Sequence, residues 1–302
     1  MPLRRLTFDN PWVAAVDAAR RPARAWAVLG LGLASCAAAI VLGRALGGLL
    51  ADAVAARMAG PWAAILGQAA FYLCVFLPLW LVALTGGAVE GRSVWRREPR
   101  APLAAAAGIA LGALGFGAAV GLASSLGVVV PAAQPQAAVA GATAIGLLIV
   151  AFQAGGEEVF FRGWIQPVLC ARLGPWVGLG ITAVMFMGLH LVGGARSPLA
   201  ALNLLLGGLL FGLLALRTGG LWTAFAAHWA WNWTESGALG LDPNPGVAPT
   251  GALLDLDLTG SSLWSGGGDG MNGSPAATLV LAILVVGLIA LAPRRSRTPV
   301  VA

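Results

Sequence analysis

Eight long apolar runs divide the chain, at about residues 26–50, 62–89, 101–130, 137–155, 175–194, 199–216, 220–239 and 275–292. A helix rises about 1.5 Å per residue, so about 20 apolar residues cross a hydrocarbon core roughly 30 Å thick. Backbone polar groups in lipid must be satisfied within the segment, so runs of this length predict helices. The expected fold is all-α, a polytopic membrane helical bundle of about eight transmembrane helices. Between the fourth and fifth runs, a less apolar segment at about 156–172 carries two glutamates and two arginines. It reads as a continuation of the fourth helix or as a short re-entrant piece.

Small residues recur four apart inside the runs, at Gly43 and Gly47, Gly108 and Gly112, Gly117 and Gly121, and Gly208 and Gly212. This spacing lets helix backbones approach closely in lipid.

Composition narrows the picture. Of 302 residues 59% are apolar and 10% charged, where a soluble domain is roughly a quarter charged. Eight spans leave little chain for a separate aqueous domain. The net charge of +6 does not mark a nucleic-acid partner, because the arginines sit between apolar runs and form no clustered, solvated face. Arginine is the only basic residue besides histidine, and Ala and Gly abound, which reads as the coding bias of a GC-rich bacterial genome. Cys36, Cys74 and Cys170 match no zinc or disulfide spacing and read as packing residues.

Arginines also set orientation, since basic loops stay cytoplasmic. Five lie in the amino-terminal segment, Arg92, Arg96, Arg97 and Arg100 follow the second run, and Arg294, Arg295 and Arg297 close the chain. Eight crossings place all three groups inside. The expected organisation is a cytoplasmic segment 1–25, an integral-membrane domain 26–294 with its core at about 140–240, and a cytoplasmic tail 295–302. The acidic stretch rich in Gly, Pro and Ser at about 240–274 is expected to be a flexible external loop. The run from Trp26 is long for a signal peptide and reads as a first span of a bacterial cytoplasmic-membrane protein.

Ionisable groups inside an apolar bundle are costly and are by default candidates for function. Glu157, Glu158, Arg162, His190, His228 and Asn232 remain once loops are set aside. Residues four apart share a helix face, so Glu158 can pair with Arg162 while Glu157 turns elsewhere. Phe186 lies one turn from His190 and can wall its pocket. His228 and Asn232 share a face by the same spacing. Three helices could thus deliver a carboxylate, two imidazoles and a carboxamide to one point, a set able to activate water and stabilise an oxyanion. Each group alone has a plainer reading: an ion pair, a histidine bonded between helices, or an asparagine holding helices together.

In order and on separate helices, Glu157-Glu158-x-x-x-Arg162, Phe186-x-x-x-His190 and His228-x-x-x-Asn232 resemble the three-motif signature of the CAAX-protease and bacteriocin-processing family of intramembrane endopeptidases. The resemblance implies that Glu157 and His190 activate the attacking water, that His228 and Asn232 stabilise the oxyanion, and that Arg162 orients the glutamate helix. It implies a peptide or protein substrate at the bilayer. Family members have been described as metalloproteases, and Glu157, His190 and His228 are acceptable zinc ligands. The chain has no His-Glu-x-x-His, so a metal-free glutamate mechanism stands beside the zinc one. A non-enzymatic bacteriocin-immunity or partner-binding protein on the same scaffold is the alternative, and a proton-relay transporter is a third class. One geometric tension accompanies the resemblance. If the fourth span ends near 155, Glu157 sits at the inner edge while His190 lies roughly 23 Å into the fifth.

Overall fold

A computed structural model describes residues 4–98, 100–133, 141–241 and 248–291. A short helix α1 (Pro11–Asp17) precedes α2 (Ala25–Ala55), α3 (Pro61–Glu90), α4 (Ala101–Ser125), α5 (Ala142–Leu173), α6 (Pro175–Gly193), α7 (Pro198–Thr218), α8 (Trp222–Trp233) and α9 (Pro275–Ala290). The polytopic helical bundle expected from the apolar runs is what forms.

Among the described residues seven helices, not eight, are long and apolar enough to cross a bilayer: α2 to α7, and the last, Gly267–Ala290, whose first part is a 3-10 turn. The expected span at 220–239 is the exception. Helix α8 has 12 residues and continues for 5 more as a π-helical turn, Thr234–Ala238, about 25 Å in all. It is packed among α4, α5 and α7, and a helix walled in by protein need not match the thickness of the lipid. Its closest approach is to α4. A Cβ at Gly108 or Gly112 would strike the backbone of Thr223 or Ala227, whereas Gly117 and Gly121, the pair with the same spacing further on, face open space.

The segment 156–172 proves to be a continuation. Helix α5 runs unbroken from Ala142 to Leu173, with a π-helical stretch at Val159–Ile165. Gly174, at φ +92°, turns the chain directly into α6. Glu157 lies 17 residues before that glycine and His190 16 residues after it, so the two arms of the hairpin bring them to one depth. The tension over their depths came from ending the fourth span at its first charges.

The stretch expected to be a flexible loop is largely built, although its residues 242–247 lie outside the described ones. Strand β1 (Val129–Pro131) pairs antiparallel with β2 (Leu256–Leu258). Asp269 then accepts the backbone N–H groups of Arg196 and Ser197 at the start of α7, at 3.1 and 2.8 Å. Asn203 donates to the carbonyls of Asn272 and Ser274.

At the opposite end the arginine-bearing segments interlock. Arg4 N–H donates to the Arg217 carbonyl (2.7 Å), Arg96 Nη1 to the Pro11 carbonyl (2.6 Å), and Arg172 Nη1 pairs with Asp17 (2.6 Å). Cys36 and Cys170 are buried, Cys74 is half-buried, and all three are free thiols.

Candidate active site

The π-helical stretch of α5 is the local departure on which the site rests. Such segments leave carbonyls without helical partners, and here other elements supply donors. Trp12 Nε1 donates to the Arg162 carbonyl (3.0 Å), and Arg92 donates through Nη1 to Gly163 (3.0 Å) and through Nη2 to Trp164 (3.1 Å). Glu90 holds Arg92 in place at 2.6 Å and accepts from Trp164 Nε1 at 2.9 Å.

Arg162 is fully buried. Its Nη1 donates to Glu158 Oε1 (2.8 Å) and its Nη2 to the Gly208 carbonyl (3.1 Å). Its guanidinium carbon lies 4.5 Å from the ring centre of Phe186 and 5.6 Å from that of Phe211. A guanidinium between aromatic faces retains favourable charge contacts after losing water. Glu158 Oε1 also lies 2.8 Å from His228 Nδ1, and the His228 ring stacks on Phe211 with centres 4.5 Å apart.

Glu157 turns away from that face, as the helical spacing requires. It is 1% exposed. Oε1 accepts from Gln153 Nε2 at 3.3 Å, whereas Oε2 has no hydrogen-bond partner and lies 3.9 Å from His190 Nε2. His190 Nδ1 is 2.9 Å from the Phe186 carbonyl. A carbonyl can only accept, so Nδ1 carries a hydrogen and Nε2 is the nitrogen turned towards Glu157. The rings of Phe186 and His190 are 4.6 Å apart, so Phe186 does wall the imidazole.

Two cavities meet here. One, of about 410 Å³, is lined by His190, His228 and Asn232, and the other, of about 490 Å³, by Glu157 and His190. Gln153, His190 and Glu235 line both. The structure thus gathers Glu157, Glu158, Arg162, Phe186, His190 and His228 into one connected cluster, with Asn232 on the wall of the first cavity.

Residues 139–234 match the family model described as type II CAAX prenyl endopeptidase Rce1-like. That model is one of the CAAX-protease and bacteriocin-processing family, which the three motifs resemble, and the match covers about a third of the chain. No curated protein and no solved structure matches the chain. The matched segment spans α5 to α8 and contains Glu157, Glu158, Arg162, His190, His228 and Asn232, while Glu235 lies one residue beyond it.

Among the described residues no three His, Cys, Asp or Glu side chains are grouped to hold a metal ion. His228 Nδ1 is engaged with Glu158, while Glu157 faces His190.

Sequence reasoning passed over several residues around this site. Gln153 lies one turn before Glu157 and was readable from that spacing. Glu235 is buried at the junction of the cavities but stands near the end of an apolar run, where a charge resembles a boundary. Glu90 and Arg92 looked like loop charges that set topology. Only the freed carbonyls of the π-helical stretch reveal why they are there.

Proposed function

We propose that this protein is a CAAX-type intramembrane endopeptidase that hydrolyses a peptide bond of a membrane-associated or secreted peptide with a water held between Glu157 and His190. The observation that carries this reading is the unpartnered Glu157 Oε2 facing Nε2 of His190 at 3.9 Å, at the junction of two cavities. A buried carboxylate oxygen without a donor is costly, and a water spanning the gap would satisfy it. Glu157 takes one proton of that water, His190 Nε2 accepts a hydrogen bond from the other, and the oxygen attacks the substrate carbonyl carbon. As the tetrahedral intermediate collapses, the C–N bond breaks and the proton on Glu157 passes to the leaving nitrogen. Water's hydroxyl ends on the acyl carbon and its proton on the amine.

The charge that develops on the carbonyl oxygen needs donors fixed in advance. The Asn232 amide on the cavity wall is one. His228 is the second: with Nδ1 directed at Glu158, its Nε2 is the nitrogen left for the cavity. To donate from Nε2 while Nδ1 donates to Glu158, the His228 ring must carry a hydrogen on each nitrogen during that step.

The test compares membrane and secreted peptides between a deletion strain, a strain carrying the parent chain and one carrying Glu157→Gln. The purified parent and variant are then assayed on the peptide that changes. Glu157→Gln is expected to lose at least ~10²-fold in rate at normal protein levels. Equal cleavage by the variant would remove the glutamate-base mechanism.

A further inference from the structure

Both cavities open towards one end of the bundle. The first takes Gln68, Thr143 and Asn203 from the leading halves of α3, α5 and α7, and Thr250 and Asn272 from the segment that follows α8. None of the described residues lining either cavity belongs to 4–24, 91–98, 172–175 or 217–221. That opposite end is a floor. Trp12 and Arg92 bond the carbonyls of the π-helical stretch, and Glu98 accepts the N–H groups of Trp222 and Thr223 at the start of α8 at 3.0 and 2.9 Å.

Arginine is divided between the two ends. Among the described residues, the floor side holds Arg4, Arg5, Arg20, Arg21, Arg24, Arg92, Arg96, Arg97, Arg100, Arg172 and Arg217. The open side holds Arg44, Arg57 and Arg196, and Arg162 lies between. Segments rich in arginine next to membrane helices are retained in the cytoplasm. The floor is therefore the cytoplasmic face.

We infer that the site opens to the non-cytoplasmic side of the membrane, and that its substrate class is polypeptide presented at or beyond the outer leaflet, exported or already inserted, and not cytosolic protein. The direction of opening stands on cavity walls and arginines alone, and the substrate class rests in addition on the hydrolase reading proposed above. Glu157 lies about 23 Å along α5 from its outer end, so a cleavable bond must reach the middle of the bundle. An extended segment does so with about seven residues.

Single cysteines test the direction, with the parent chain and its three native thiols as the blank. Thr250→Cys and Ser236→Cys line the first cavity, and Arg97→Cys lies on the floor side. Intact spheroplasts and inverted vesicles are treated with a charged, membrane-impermeant methanethiosulfonate. Thr250→Cys and Ser236→Cys are expected to react in spheroplasts and Arg97→Cys only in inverted vesicles. The reverse pattern overturns the opening, and Thr250→Cys alone decides it if Ser236→Cys does not accumulate.

The substrate class is tested in spheroplasts carrying Glu157→Gln, where the uncut precursor is expected to be digested by added proteinase K. A precursor that accumulates but resists the proteinase overturns the substrate class. No precursor in any fraction overturns the hydrolase reading and with it the substrate class, while the labelling result still decides the opening.

Discussion

Oε1 of Glu158 lies 2.8 Å from Nη1 of Arg162, and the same oxygen lies 2.8 Å from Nδ1 of His228. One carboxylate atom thus joins α5 to α8 and neutralises a fully buried guanidinium. Its neighbour in sequence has no such duty. Glu157 has one long bond from Gln153 and an oxygen with no partner. The two glutamates should respond oppositely to removal.

Glu158→Ala leaves Arg162 as an uncompensated buried charge, which costs about 3–5 kcal/mol. The variant is expected to accumulate poorly and to lose much of its melting temperature in detergent. Glu157→Ala and Glu157→Gln leave the Glu158–Arg162 pair intact and are expected to melt within a few degrees of the parent while losing peptide cleavage. Thermal unfolding of the three purified variants checks this contrast. A Glu158→Ala protein as stable as the parent would show that the ion pair contributes little.

Arg162→Lys is a severe change despite the retained charge. The guanidinium donates to Glu158 and to the Gly208 carbonyl in divergent directions while lying against the Phe186 ring. An ammonium on a flexible stem cannot reproduce that planar fork. The expected loss is about 2–4 kcal/mol, within the range for a weakened buried pair, measured as a drop in unfolding midpoint. A loss smaller than about 0.5 kcal/mol, the scale of an ordinary surface change, would show that charge alone is enough.

Much of this cluster was legible before the structure. The spacing of four in Glu158–Arg162, Phe186–His190 and His228–Asn232 needs only helical periodicity, and it turned Glu157 away from the face that Glu158 shares with Arg162. What the spacing left open, between a continuation and a re-entrant piece, was the continuity of α5. Two glutamates and an arginine resemble a helix end when each is assigned its own cost of leaving water, and they become tolerable in the interior only as a bonded set. That set depends on Gly208, Phe211 and His228 from α7 and α8, distant in sequence. The shortness of α8 was hidden for a related reason. A helix enclosed by protein and one crossing lipid are both apolar, and only the contacts with α4, α5 and α7 distinguish them.

Gln153 acts on Glu157 through its amide. Its Nε2 donates to Oε1 at 3.3 Å, which leaves Oε2 to face His190. Without that anchor the carboxylate gains rotamers that do not face the imidazole. Gln153→Ala is expected to lower kcat about tenfold, equivalent to roughly 1.4 kcal/mol, with KM changed less than twofold. Gln153→Glu places a second carboxylate beside the first and should lower kcat further. A change confined to KM would instead assign Gln153 to substrate contact.

Arg92 shows how a loop charge can be structural. Three of its nitrogens are engaged at once, by Glu90 and by the carbonyls of Gly163 and Trp164. Arg92→Ala removes donors from two carbonyls freed by the π-helical stretch and leaves Glu90 without its cation. Each buried group left unsatisfied costs about 1–3 kcal/mol, so a total near 3 kcal/mol is expected in the unfolding midpoint. Arg97, exposed in the same loop, is the control, and its alanine variant should stay within about 0.5 kcal/mol of the parent.

The paired glycines of α4 offer an internal comparison in which sequence context is nearly constant. Gly112 and Gly117 lie on the same helix, five residues apart, and both belong to pairs with the spacing that favours close packing. A Cβ at Gly112 would strike the Ala227 carbonyl and come within 2.9 Å of the Trp231 nitrogen, while one at Gly117 would meet nothing. Alanine improves intrinsic helix propensity equally at both sites, by about 1 kcal/mol, so the difference between the variants isolates contact with α8. Gly112→Ala must push α8 away from α4, and overpacking of this kind costs about 1–3 kcal/mol. Helix α8 carries His228 and Asn232, so displacement should lower cleavage as well as stability. Gly117→Ala is expected to leave both unchanged or to raise stability slightly. Equal melting temperatures for the two variants would show that α4 and α8 are not held at the distance seen here.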